Sequence, residues 1–176
     1  ADEALRRVIA PLAAAASWGL AEWDLLDEYI SVIPADSPDG AFFRGILAVH
    51  RGKMREAQGH IERTRSLLDP ELAALLGESY SRAYNVMVRI QMLAELEEVI
   101  EWKRVGGKRP GKQAAILACW DARLKGAQRS VEVWQRLLKV RALVLPPAED
   151  AKTWIKFSSL CRKSNRPVLT QRTLSM

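Results

Sequence analysis

Few residues in this chain have the chemistry for catalysis or metal binding, and they are poorly gathered. His50 and His60 are the only histidines, and Cys119 and Cys161 the only cysteines. Glu56 and His60 stand four apart, so a helix would place both on one face as a two-ligand clip. Zinc-type sites need further ligands at fixed spacing, and none follows. The simpler reading is an exposed side-chain pair. Neither cysteine has a base at a readable spacing, so each reads as a small buried hydrophobe. Glu95, Glu97, Glu98 and Glu101, and likewise Asp24, Asp27 and Glu28, recur at helical steps and read as solvated faces.

Phosphate chemistry finds no frame either. Gly106-Gly107-Lys108-Arg109-Pro110-Gly111-Lys112 is glycine-rich and basic. It follows a helical pattern, however, where a phosphate cradle would follow a strand. No kinase catalytic-loop or metal-binding sequence accompanies it. The sequence predicts no catalytic residue, no cofactor and no metal site in this segment, and reads Val105 to Lys112 as a flexible loop.

Charge is more informative. The formal net charge is +6, yet residues 1–100 carry ten Lys/Arg against sixteen Asp/Glu, and residues 101–176 seventeen against five. Lys152, Lys156, Arg162, Lys163 and Arg166 lie on and just after one predicted helix and form a candidate interaction surface. Such a surface suits a polyanion or an acidic face of a larger assembly. Trp154 and Phe157 interleave with these cations, but their spacing matches a buried stripe rather than a base-stacking platform, so nucleic acid is not the expected partner.

The elements that must position these residues are helices. Gly19 to Trp23-Asp24 opens a run that closes at Ile33-Pro34, and Gly52 to Ala57 opens another that closes at Asp69-Pro70. The glycines are 33 positions apart and the prolines 36. That period, with Gly19, Gly52, Pro34 and Pro70 as repeat turns, marks tetratricopeptide-like helical hairpins. Leu5, Val8, Ile9, Leu12 and Ala16 form one apolar stripe on the first helix. Ser37 is placed to cap a helix whose first residue is Pro38. The region 72–103 is too long for one ordinary helix and is expected to break near Gln91-Met92. Further helices are expected over 113–127 and 130–145, then one carrying Trp154, Phe157 and Cys161, and a last partial helix from Pro167. No alternating strand pattern competes.

The expected fold is therefore all-α, a right-handed solenoid of antiparallel hairpins. Hairpins span 1–104, the loop 105–112, and further hairpins 113–176, with the last truncated. Both ends look cut from something longer. The apolar residues at each end, Val168 and Leu174 included, have no evident cap. No apolar run reaches the length of a membrane span, and two unspaced cysteines fit a reducing compartment.

Trp18-Gly19-Leu20 with Trp23-Asp24, Asp39 to Phe43, Leu67 to Asp69, Gly77 to Tyr84 and Leu93 to Ile100 are similar to one region of the TOR (target of rapamycin) protein kinases. Val133-Trp134-Gln135, Val140-Arg141, Glu149-Asp150, Thr153-Trp154 and Ser159-Leu160-Cys161 continue the resemblance in order. The region is the FAT domain of the phosphatidylinositol-3-kinase-related kinase family. The resemblance implies a structural and regulatory scaffold that clamps a downstream Ser/Thr kinase domain in growth signalling. It also implies partners in the rest of the parent kinase and its complex, with a cytoplasmic or endomembrane-surface location. The family's inositol-polyphosphate site is expected mostly in later FAT helices, and no binding residue carries over to this chain. The other function class is an independent tetratricopeptide-type module that binds peptides in its groove. It would need polar clamps on inner helices, where this sequence has Ala13, Ala14, Ala15, Ile46 and Leu47.

Overall fold

The computed structural model describes residues 2–175. Ala1 and Met176, the outer bounds of the expected hairpins, lie outside the described residues. Helices joined by short turns make up the chain, and no strand occurs among the described residues. Two compact units divide it, residues 1–93 and 94–176.

The first unit holds α1 (Asp2–Leu20), α2 (Trp23–Val32), α3 (Pro38–His50), α4 (Met54–Leu76) and the start of α5 (Tyr80–Val105). Its centre is α3, which packs against α4, α2 and α1. Eight of its residues from Gly40 to Val49 are buried, because Arg44 is the one polar side chain in that run. Ser37 caps it as expected, accepting a hydrogen bond from Gly40 N at 3.0 Å with Pro38 in the first turn. On α1 the small and aromatic face of Ala10, Ala14, Ser17 and Trp18 is buried, while Leu5, Val8, Ile9 and Leu12 stay exposed. Small residues let a neighbouring backbone approach closely, and α1 packs on α2 and α3, with Trp18 edge-on to Phe42 of α3 at 5.8 Å.

Three sequence expectations need correction. Gly19 lies within the last turn of α1, and the chain reverses at Ala21, whose φ of 60° is left-handed. Pro70 lies inside α4 and ends nothing. The buried stripe of Ala57, Ile61, Thr64, Leu68 and Leu75 runs straight across it, and that burial outweighs the backbone hydrogen bond a proline lacks. The break expected at Gln91-Met92 falls instead at Gly77–Ser79. Met92 and Leu93 are both buried, and a turn there would bury unpaired backbone groups. The other two turns lie between helices. Pro34 sits between α2 and α3, and Gly52, at φ 74°, between α3 and α4.

The second unit contains the rest of α5, a short 3-10 turn (Gly106–Lys108), α6 (Pro110–Gly126), α7 (Val131–Arg141), α8 (Ala151–Lys163) and α9 (Pro167–Leu174). The segment read as a long glycine-rich loop is mostly helical, because Pro110 starts α6 at a position where its missing N–H costs nothing. Side chains tie α5 to its neighbours. Glu98 accepts hydrogen bonds from Trp120 Nε1 and both terminal nitrogens of Arg123 on α6. Arg141 of α7 reaches Glu95. Of the solvated carboxylate faces expected on α5, Glu95 is thus fully buried and Glu98 half-buried.

Candidate anion-binding groove

Where α6, α7 and α8 meet, the second unit opens a groove of about 480 Å³. Three sources of sequence supply its walls. The last turns of α6 give Asp121, Leu124 and Lys125, followed by Arg129 in the α6–α7 connection. From α7 comes Trp134. Thr153, Ile155, Lys156, Ser159, Leu160 and Lys163 line the α8 side. The helix period explains that last set: Lys156, Ser159 and Lys163 fall at steps of three, four and seven, hence on one face. The opposite face carries Phe157 and Cys161, both buried. Trp154 packs edge-on to Phe157, with centroids 5.9 Å apart.

Four cations, Lys125, Arg129, Lys156 and Lys163, therefore surround an apolar floor with a single carboxylate among them. Asp121 accepts from Lys125 Nζ at 2.6 Å and stands 3.8 Å from Lys156 Nζ. The Lys125 hydrogen bond holds the Asp121 carboxyl below its ordinary range, and the charges of Lys125, Lys156 and Lys152 add to this. The ring nitrogen of Trp134, a groove residue, is buried without a hydrogen-bond partner among the described residues. Four cations against one carboxylate favour a ligand with several anionic oxygens.

Of the five cations expected to form a surface, the groove gathers Lys156 and Lys163. Lys152 acts on Asp121 only through its charge. Arg166 pairs instead with Glu132 across 3.5 Å, and Arg162 lies exposed outside the groove. Lys125, Arg129 and Trp134 were missed. Their only sequence signal was that Lys125 and Asp121 lie one helical turn apart, and nothing local connects either to α8.

The remaining candidates sit elsewhere. His60 lies 3.9 Å from Glu56, and burial lowers its pKa, with Glu56 opposing and Arg44 adding. No group of three or more potential metal ligands is gathered among the described residues. Cys119 is half-buried and Cys161 buried, and burial pushes the Cys161 thiol up, away from the reactive thiolate. His50 is exposed and stacks flat on Trp23 with centroids 3.7 Å apart. No described helix is long and apolar enough to cross a membrane.

The family model of the FAT domain matches residues 10–176. The chain is 47% identical over 171 residues to the serine/threonine-protein kinase TOR2 of Saccharomyces cerevisiae, covering 97% of this chain and 7% of that protein. It is 49% identical over 166 residues to mTor of Drosophila melanogaster, covering 94% of this chain and 7% of that protein. Against TOR of Arabidopsis thaliana it is 47% identical over 194 residues, covering 99% of this chain and 8% of that protein. The chain thus spans less than a tenth of the length of these relatives.

Proposed function

Because this chain belongs to the FAT domain family, we propose that it is a non-catalytic scaffold segment of a TOR-type Ser/Thr kinase whose α6–α8 groove binds a polyanion. Its helical pairs stack as tetratricopeptide-like hairpins in a longer solenoid that supports the kinase domain and the assembly of its complex. The parent acts in growth signalling in the cytoplasm. The observation carrying the reading is the groove. Its four cations are brought together by α6, the α6–α7 connection and α8. The ligand class that fits is a multiply phosphorylated small molecule, because four cations face one carboxylate. The family match supports the scaffold role, since its residues 10–176 include part of α1 and the helices that follow.

The test uses inositol hexakisphosphate as the polyanion probe. The 176-residue chain is expected to bind it in calorimetry, with affinity that falls as salt rises. Changing Arg129 and Lys163 to Glu is expected to abolish binding while far-UV dichroism stays helical. In the parent kinase the same pair is expected to weaken co-purification of partner subunits. Binding that survives both charge reversals would overturn the groove assignment. Unaltered assembly of a kinase lacking this segment would overturn the scaffold role.

A further inference from the structure

The four groove cations are not equally available. Lys125 and Lys156 both face Asp121, at 2.6 and 3.8 Å, whereas no ion pair is formed by Arg129 or Lys163 with a described residue. Asp121 comes from α6 and Lys156 from α8, so the carboxylate sits across the groove between two walls. About half of each of the three side chains is exposed or more. A contact of that kind is weak enough to exchange for another anion.

Resting on the polyanion reading of this groove, we propose that Asp121 is a built-in counter-anion, which offsets one of the two charges of Lys125 and Lys156 in the empty groove and must be displaced by a ligand that reaches them. Arg129 and Lys163 then act as the first point of capture, because no carboxylate holds them. A ligand with one anionic group can be met by these two alone. A ligand with several groups reaches Lys125 and Lys156 as well, and takes over the oxygen contacts that Asp121 supplies. Asp121 thereby lowers affinity for anions that reach Lys125 and Lys156, while keeping the empty groove from presenting four unneutralised cations to the acidic surfaces of a large assembly.

The test is calorimetric titration of the 176-residue chain with tripolyphosphate. Asp121→Asn, which keeps the side-chain shape and removes the charge, is expected to tighten binding by roughly two- to fivefold, the range set by an exposed ion pair. Asp121→Glu keeps a carboxylate one helical turn from Lys125 and is expected to bind like the unchanged chain. Asp36→Asn removes one negative charge from the first unit, where Asp36 pairs with Arg63, and is expected to leave the affinity unchanged. That control separates a groove effect from a change of net charge. An Asp121→Asn chain that binds no tighter than the unchanged one, or no tighter than Asp36→Asn, overturns the counter-anion role while leaving the groove intact. If the unchanged chain takes up no tripolyphosphate, the groove reading itself fails and the role of Asp121 fails with it.

Discussion

Arg141 grips Glu95 through two parallel hydrogen bonds, Nε to Oε2 and Nη2 to Oε1, both 2.8 Å, with the two residues 3% and 0% exposed. The guanidinium carbon also lies 5.5 Å from the Trp120 ring centroid, and Trp120 stacks on Trp102 at 6.0 Å. One buried ion pair thus orients α7 on α5 with the aromatic side of α6 around it.

Arg141→Met should cost about 3–5 kcal/mol, because it leaves the Glu95 carboxylate buried without its cation. Glu95→Leu with Arg141→Met should cost less than Arg141→Met alone, since no charge is then stranded. Urea denaturation of the single and double variants measures both. A double variant worse than either single one would mean that packing, rather than charge compensation, dominates the site.

Gly40 and Gly52 should fail for different reasons when substituted. A Cβ on Gly40 would lie 2.0 Å from the Pro34 carbonyl oxygen, a backbone atom that cannot swing aside. Gly40→Ala is therefore expected to lower stability by about 1–3 kcal/mol through overpacking. At Gly52 no atom lies within 4 Å of an added Cβ, but φ is 74°. Gly52→Val should cost about 1 kcal/mol or more from the left-handed backbone alone. Thermal melts of the two variants check the order.

Ala21 offers a stabilising change. It carries a Cβ at φ 60°, where its N–H donates to Trp18 O at 3.1 Å and closes the α1–α2 turn. Replacement by Gly relieves the left-handed strain and is expected to gain up to about 1 kcal/mol, after the extra freedom of the unfolded glycine is subtracted. A lower melting temperature for Ala21→Gly would show that the alanine methyl makes a contact worth more than the strain.

Acid should loosen the first unit through His60. Burial lowers its folded pKa below the ordinary 6.5, so the unfolded chain takes up a proton first as pH falls. The stabilisation is present above about pH 6.5 and is lost as pH falls through the lower folded value. His60→Gln should flatten the decline in urea midpoint between pH 7.5 and 5.5. A decline equally steep in that variant would assign the acid sensitivity to other groups.

The sequence by itself determined that the chain is helical, where α3 starts, and that Gly52 and Pro34 lie between helices. Each of these rests on local physics: a 3.6-residue apolar period, a serine hydroxyl three residues from the N–H it caps, a proline in a first turn. Tertiary structure alone decided where α4 and α5 end, because burial of Leu68, Leu75, Met92 and Leu93 against neighbouring helices overrode the local breaking tendency of Pro70 and the usual limit on helix length. The site divides in the same way. Lys156 and Lys163 were legible as basic residues, and the helix period puts them on one face. Their meeting with Arg129, Asp121 and Trp134 depends on how α6, α7 and α8 cross, and charge pattern along a chain carries no information about which helices become neighbours.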